Sequence, residues 1–386
     1  APGSLAPTPL AVFNDYSTPA RAHASARAVV HYVVLGVDAP PLNDDDGDGV
    51  PDYVEHVGAA ADAAIAYFEQ RGFRPIRPDR GGPDPRPDLY VSRFSPGMLG
   101  AAFPPSEAEG GAFAAVSNGL DPSGGVSFAS VYGTVAHEVF HLVQFAYFGT
   151  GDAPAIPTWI LEGSAAALES RVFPELVDGV SRIQLRRWLA APHRSLTTQS
   201  YGAQLLWRRL DARHPRLLPA LLARLAARPV AGEGAAALVE TYRRATGHAL
   251  GGAFHELAVD VTVDHADELT ALGTVRRGTR ASAAVPPLAI HLRRLSLPRS
   301  GPFELSVELA RPSVALAASV VLQLESVYAL EPPRVVRIAP RVSRGGRTLT
   351  LTIPPRVRRS GRLLAPFLVL SNGGAEAVGA YRVSAR

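Results

Sequence analysis

Hydrophobic and polar positions repeat with different periods along the chain, and the changes of period separate its regions. Residues 28–35 and 88–94 form β-branched, apolar runs that predict strands, and residues 111–118 predict a third strand. Residues 52–71 place apolar side chains at helical spacing, and Gly72 follows as a helix-ending residue. Strands therefore mix with a helix in the first part of the chain.

The middle of the chain is predicted to be helical. Two helices are expected over residues 129–149 and 157–171, and the first is apolar nearly all round, which is typical of a buried helix. Residues 181–262 predict an all-helical region. Its amphipathic segments are residues 201–210, 216–227, 233–246 and 250–262.

From about residue 275 the pattern changes to short β-rich runs separated by Pro, Gly and Ser. These runs are residues 289–292, 303–307, 320–324, 348–351, 367–370 and 381–383. Such spacing predicts an antiparallel β-sandwich over residues 275–386. Residues 1–28, rich in Pro, Ala and Ser, predict an extended lead-in. The whole pattern indicates the α+β class.

Composition narrows the possible classes of protein. The 386 residues are 47% hydrophobic and 19% charged, enough for a sizeable core. No apolar run is long enough to predict a membrane span. The first residues show no signal-peptide pattern, so we expect a mature or trimmed form. Cysteine is absent, which excludes disulfides and thiolate metal sites.

The basic residues argue against a nucleic-acid partner. All 39 are arginine, dispersed along the chain, and the net charge is only +4. No nucleic-acid recognition motif accompanies them. We attribute the excess of Arg, Ala, Gly and Pro to a GC-rich genome.

One motif points directly to chemistry, the H-E-x-x-H pattern of His137, Glu138 and His141. On a helix the two histidines share a face and can bind one Zn²⁺, while the glutamate can deprotonate a metal-bound water. Glu162, on the next predicted helix, is a suitable third ligand. Two His and one Glu leave the fourth position open for water, as in catalytic zinc sites.

Glu138 is therefore the predicted general base, because a carboxylate can take the proton of the water and deliver it to the leaving amine. Glu169 lies two helical turns after Glu162. It can either accept the N–H of a ligand histidine or remain an ordinary surface carboxylate.

These residues resemble the gluzincin metallopeptidases, whose third ligand lies in a W-x-x-E-G-x-A segment. Here that segment is residues 159–165, with 20 residues between His141 and Glu162. Over about residues 29–260 the chain is also similar to secreted bacterial metalloproteases that pair D-x-D-G-x-P-D-Y-V-E with H-E-x-x-H-x-x-Q. The resemblance implies a zincin-like, thermolysin-like catalytic core. Its first half would span residues 29–180 and its helical half residues 181–270.

The resemblance also implies a Tyr or His, after the third ligand, that stabilises the oxyanion of the transition state. Tyr201 is the first candidate, His193 the second, and His248 and His255 follow. For Tyr201 the alternative is an ordinary core aromatic residue.

Gluzincin aminopeptidases carry a G-x-M-E-N segment on the strand before the zinc helix, and its Glu holds the substrate amino terminus. The comparable strand here, residues 111–118, contains no acid, which favours internal cleavage. We expect the small residues 112–117 to form a sheet edge to which an extended peptide can pair.

A second motif predicts calcium. Residues 44–55 match the EF-hand loop, with acids at positions 1, 3, 5, 9 and 12 and glycine at position 6. The expected ligands are Asp44, Asp46, Asp48, the carbonyl oxygen of Val50, Asp52 and Glu55. A strand rather than a helix precedes the loop. The alternative is a solvated acidic turn, but closely spaced carboxylates repel one another without an ion.

Together these patterns predict a zinc-dependent endopeptidase that acts on a peptide or protein substrate, is stabilised by structural Ca²⁺, and is secreted or held at the cell surface. Two alternatives remain open. One is a calcium-dependent surface-binding or adhesion protein with a vestigial peptidase domain, and the other is an aminopeptidase. The oligomeric state is left open.

Overall fold

The computed structural model describes most of the chain as two compact units. The first unit consists of Ala1–Ile156, Leu161–Ser181 and Leu210–Ala231, and the second of Pro157–Ile160, Arg182–Arg209 and Gly232–Arg386. The described residues are 20–78, 84–105, 111–120, 128–148, 156–174, 179–227, 234–325, 333–355, 357 and 363–386.

A five-stranded mixed sheet forms the first unit together with its helices. The strands are β1 (Arg21–Ala24), β2 (Val29–Tyr32), β3 (Asp88–Ser92), β4 (Gly100–Phe103) and β5 (Phe113–Ser117), in the order β1-β2-β3-β5-β4. The three inner strands are parallel, whereas β1 and β4 run antiparallel to their neighbours. Alternate residues such as Val30, Leu89 and Val116 are fully buried, as expected for strands covered by helices.

Two sequence-based expectations about this sheet are wrong. Residues 112–117 do not form an edge, because β5 lies between β3 and β4. The edge strand on that side of the sheet is β4, which the sequence pattern did not reveal because Gly100–Phe103 contains no β-branched residue. Residues 21–24 belong to the sheet as β1 rather than to an extended lead-in, since they pair antiparallel with β2. Residues 1–19 of that lead-in lie outside the described residues.

Three helices carry or support the motifs of the first unit. They are α1 (Asp52–Gln70), α2 (Phe128–Phe148) and α3 (Thr158–Val172), close to the predicted segments. Helix α1 packs against α2, and α2 packs against β4 and β5. Buried aromatic rings join the helices, with the ring centroids of Phe68 and Phe140 5.0 Å apart. The C-terminal residue of α1 is followed closely by Gly72, whose φ of 81° suits the left-handed conformation that ends a helix.

Five further α-helices follow within the described residues. They are α4 (Gly179–Leu189), α5 (Gln204–Arg213), α6 (Leu217–Ala227), α7 (Gly234–Thr246) and α8 (Leu250–Asp264). Short 3₁₀ helices occupy Leu196–Thr198 and Tyr201–Ala203, so Tyr201 precedes α5 rather than opening an α-helix. None of the helices within the described residues has the length and hydrophobicity needed to cross a membrane.

The last part of the chain forms two five-stranded sheets. Their strands are β6 (Thr274–Val275), β7 (Arg280–Val285), β8 (Ala289–Leu295), β9 (Phe303–Leu309), β10 (Leu316–Leu324), β11 (Arg334–Ile338), β12 (Arg341–Val342), β13 (Thr348–Ile353), β14 (Leu363–Asn372) and β15 (Val378–Ala385). The second sheet has the order β11-β10-β14-β8-β6 and the third β12-β13-β9-β15-β7. One buried cluster, which includes Leu305, Val320 and Leu368, draws on both sheets. The predicted α+β class is confirmed, with a mixed sheet and helices followed by sheets that are consistent with a β-sandwich.

Candidate metal centre

The two histidines of the motif lie on one face of α2, as their four-residue spacing requires. His137, Glu138 and His141 are 6%, 6% and 7% exposed, so all three are buried. The residues between and after them, Val139 and Leu142 among others, are fully buried, which explains why the motif lies inside the protein. Polar side chains in such a place need partners.

Glu162 on α3 supplies an atom that lies near both histidines. Its Oε2 lies 3.2 Å from Nε2 of His137 and 3.7 Å from Nε2 of His141. One ligand atom from each of the three residues falls within a group no wider than 4.8 Å. With bonds of about 2.0–2.1 Å, the ligand atoms of a tetrahedral zinc site lie roughly 3.4 Å apart. The distances of 3.2 and 3.7 Å lie on either side of that separation, and the donor set suits zinc, so the residues fit a metal ion.

The other ring nitrogens are held by a second layer of contacts. Nδ1 of His137 lies 2.6 Å from Oε1 of Glu169, and Nδ1 of His141 lies 2.7 Å from Oε1 of Gln144. The amide of Gln144 in turn donates to the carbonyl oxygen of Leu161, at 3.0 Å, and to Oγ of Ser164, at 3.1 Å. When each Nδ1–H donates outward, each Nε2 presents a lone pair to the shared centre.

The role of Gln144 was not foreseen from the sequence. It stands three residues after His141 on α2, so the two side chains are neighbours on the helix surface. The three-residue spacing indicates that Gln144 can reach His141. Only the contacts with α3 show that the Gln144 side chain is held in place to do so.

Electrostatics favour a positive charge at the shared centre. Burial alone lowers the pKa of His137, but hydrogen bonds with Glu162 and Glu169 carry it well above its ordinary value. Burial alone raises the pKa of Glu162, whereas hydrogen bonds with His137 and His141 bring it well below its ordinary value. A cluster that attracts a proton in this way also offers a cation the negative surroundings that it needs.

Glu138 lies beneath the start of the edge strand. Burial raises its pKa, against the opposing effect of His137 and His141. A Cβ atom at Gly100 would come within 2.9 Å of Cγ and Oε1 of Glu138. Gly100 therefore leaves room for the glutamate. The sequence carried no signal for it, because the close approach is between segments far apart in the chain.

A groove of about 870 Å³ begins one residue before Gly100, at Leu99. Hydrogen bonds fix its walls, since Oδ1 of the buried Asp38 accepts from Oγ of Ser92 at 2.7 Å and from the Arg93 amide at 2.8 Å. Its lining includes Val37, Asp38, Arg93, Met98, Leu99, Ser117 and Asn118. Its lining thus combines the charged residues Asp38 and Arg93 with the exposed apolar side chains of Val37 and Met98.

The acidic loop forms a second candidate site, at the surface. One carboxylate oxygen from each of Asp44, Asp46 and Asp48 falls within a group no wider than 4.8 Å. Backbone amides of the loop hold the carboxylate of Asp44, since its Oδ1 accepts from Gly47 at 2.8 Å and its Oδ2 accepts from Gly49 at 2.9 Å. Both glycines have positive φ, of 74° and 88°, which the tight turn requires.

The remaining predicted calcium ligands lie around this cluster. The pKa of Glu55 is raised by burial and by the charges of Asp46 and Asp48, so its carboxylate is close enough to sense them. Oδ1 of Asp52 accepts from the Asp45 amide at 3.1 Å, and the Val50 amide donates to Asp48 at 2.8 Å. Ligation by Asp52, Glu55 and the Val50 carbonyl stays a prediction.

The candidates for the oxyanion donor lie in the second unit. Tyr201 is half-buried, His248 is exposed, and Nδ1 of His193 is buried without a hydrogen-bond partner among the described residues. His255 is bonded through both ring nitrogens, to Ser371 and Ser319 at 2.8 Å each, and burial lowers its pKa to about 4. His255 thus serves the packing of α8, and the role of Tyr201 stays a prediction.

Searches against models of known protein families and against curated protein sequences find no match to this chain. The assignment of the candidate metal sites therefore rests on the positions of their side chains alone. The described residues contain a buried His-His-Glu group that can bind a metal ion and a surface group of aspartates that is a second candidate.

Proposed function

We propose that the chain is a zinc-dependent peptidase that hydrolyses internal peptide bonds. The observation that carries this proposal is the convergence of Nε2 of His137 and Nε2 of His141 on one carboxylate oxygen of Glu162. Glu138, buried beside both histidines, adds the proton carrier that hydrolysis needs.

Zinc bound to this group would make hydroxide available at neutral pH and polarise the scissile carbonyl. Glu138 would accept the proton of the attacking water and pass it to the leaving amine. Its raised pKa suits both steps, because a carboxylate that releases its proton too readily is a poor acid. Glu169 and Gln144 would hold the two imidazole rings in one orientation throughout.

The edge strand β4 offers a place for the substrate backbone. Within the described residues its outer side pairs with no other strand, and a Cβ added at Gly100, at its start, would come within 2.9 Å of Glu138. An extended peptide that pairs with β4 would pass beside Glu138. The groove at Leu99 would then receive a side chain next to the reacting bond.

Calcium in the acidic loop would fix the start of α1, because Asp52 and Glu55 lie in the first turn of that helix. A secreted or cell-surface location would supply enough calcium for a site built largely at the surface.

The test is hydrolysis of casein by the purified chain, with its metal content measured in parallel. We expect about one zinc per chain, cleavage that EDTA abolishes, and a loss of about 10²–10⁴-fold in Glu138→Gln with zinc retained. Glu69→Gln, at an exposed ion pair with Arg27, is the control and should cleave normally. Full turnover by Glu138→Gln would remove the glutamate as base.

Two other outcomes would favour the alternatives. Zinc-loaded protein that cleaves no casein would support a surface-binding protein with a vestigial peptidase domain. Cleavage of peptides with a free amino terminus, but not of blocked ones, would indicate an aminopeptidase.

A further inference from the structure

Arginine occurs along the whole chain, but the balance of basic and acidic residues differs between residues 1–274 and residues 275–386. Residues 275–386 contain 18 arginines, five glutamates and no aspartate or lysine, which gives a net charge of +13. The preceding 274 residues contain 21 arginines and 30 acids, which gives −9. The low net charge of the whole chain hides a strongly basic β-sandwich, and such an asymmetry indicates a charged partner.

Strand register places part of this charge on one face of the third sheet. The alternate residues of its strands, such as Leu305, Val307 and Leu351, are buried in the core, so their neighbours face outward. We call these outward residues the outer face. One row across it consists of Arg341, Thr350, Ser306, Ser384 and Arg280. The next row consists of Thr348, Glu308, Arg382 and Ser282.

Arg280, Arg341 and Arg382 are exposed. The first row contains no carboxylate, whereas in the second row Glu308 lies opposite Arg382. Among the described residues, no carboxylate lies within ion-pair distance of Arg280, Arg341 or Arg382. Elsewhere arginines are commonly paired, as Arg171 is with Asp211 at 2.9 Å. Unpaired guanidinium groups keep all their donors available for a ligand.

The two arginines at the ends of the first row are separated by four strand spacings, about 19 Å. A small anion cannot reach both, whereas a polymer with repeated negative charges can. Between them the row offers only hydroxyl groups. A ligand that fits this row therefore carries acidic groups together with many hydroxyl or ring oxygens.

We propose that the outer face binds an acidic polysaccharide whose sugar units carry carboxylates. Guanidinium groups bind carboxylates through paired hydrogen bonds, and Ser306, Thr350 and Ser384 would bond the sugar hydroxyls. Neither row contains an aromatic side chain on which the bases of a single-stranded nucleic acid could stack. Neither row contains a large apolar side chain that could enter a bilayer. This proposal is independent of the proposed peptidase activity.

Binding of alginate to the full chain, measured by titration calorimetry at 150 mM NaCl, tests the proposal. The triple variant Arg280→Gln, Arg341→Gln, Arg382→Gln should bind at least tenfold more weakly. The control triple Arg21→Gln, Arg213→Gln, Arg216→Gln removes the same charge from exposed positions of the first unit and should change affinity less than twofold. Glu304→Gln with Glu308→Gln should strengthen binding about threefold, since it removes the acids of the same face.

Neutral dextran, duplex DNA and phosphatidylglycerol vesicles complete the experiment, and melting temperatures verify that each variant folds. Dextran should not bind. Equal weakening by the two triple variants would show that net charge alone acts and would overturn the proposal. Absence of alginate binding, or tighter binding of DNA or vesicles that depends on the same arginines, would overturn it as well.

Discussion

The two candidate metal sites of the first unit are built in opposite ways. At the buried site the histidines of α2 are held by residues from α2 and α3, and the third ligand candidate comes from α3 as well. At the surface site the carboxylates of Asp44, Asp46 and Asp48 are oriented by backbone amides of the same short loop. The first arrangement depends on how two helices pack, and the second on local turn geometry.

This difference determines how each site should respond to substitution of its residues. Side chains of two packed helices hold the buried histidines beside Glu162, so the arrangement of these groups comes from the fold itself. The surface carboxylates repel one another until a cation neutralises them. We therefore expect point changes at the buried site to alter metal affinity and hydrolysis, and those at the loop to alter stability in calcium.

The largest effect is expected from Glu162→Gln. Two imidazoles with a neutral amide hold zinc poorly, because the carboxylate charge is lost. Zinc content after dialysis should fall from about one per chain to well below half, and hydrolysis should fall with it. Stoichiometric zinc in this variant would contradict the arrangement of ligands described above.

Gly100→Ala should separate hydrolysis from metal binding. The new methyl group would displace Glu138, and a displacement of about 1 Å can cost on the order of 10²-fold in rate. Zinc content should not change. The control is Gly252→Ala on α8, where a Cβ would meet no atom within 4 Å. Equal rates of hydrolysis in the Gly100→Ala and Gly252→Ala variants would show that a side chain at position 100 does not disturb Glu138.

Glu169→Gln should weaken zinc binding about 10–100-fold, the usual cost of losing a group that holds a ligand histidine. The dissociation constant, measured by competition with a chelator, is the readout. The companion variant Glu268→Gln changes an exposed carboxylate of the second unit and should have no effect on zinc. An unchanged constant in Glu169→Gln would mean that its contact with His137 does not orient the ring.

The smallest effect is expected at the surface loop. Asp48→Asn should lower the melting temperature by about 3 °C in calcium and leave it unchanged or slightly higher in EGTA. Asp45→Asn alters a residue of the same loop that is outside the EF-hand ligand positions and should behave like the unchanged protein. An equal loss in calcium and in EGTA would show that the loop binds no ion.

Some features could be predicted because their signals are local. The spacing of His137 and His141 specifies one face of a helix, and Asp44, Asp46 and Asp48 follow a loop pattern in which every ligand is within a few residues. The helical and β-rich periods also gave the α+β class. In each case a short stretch of sequence contains the whole physical cause.

Other features could not be predicted because their cause lies between distant segments. The edge position of β4 depends on which strands pair, and Gly100–Phe103 carries no pattern that marks an edge. The space that Gly100 leaves for Glu138 and the hydrogen bond from Gln144 to Ser164 likewise appear only when the sheet and the helices pack.

By itself, the sequence determined the types of chemistry available: two imidazoles and several carboxylates at metal-binding spacing, an acidic loop, and an excess of arginine near one end. The tertiary structure alone decided which of these groups meet. It brought Glu162 and Glu169 to opposite nitrogens of His137, and strand register brought Arg280 and Arg341 into one row. The spacing of residues in a short segment determines only which side chains lie on the same face of one element. Contacts between residues far apart in sequence form because the apolar faces of different elements are buried against one another.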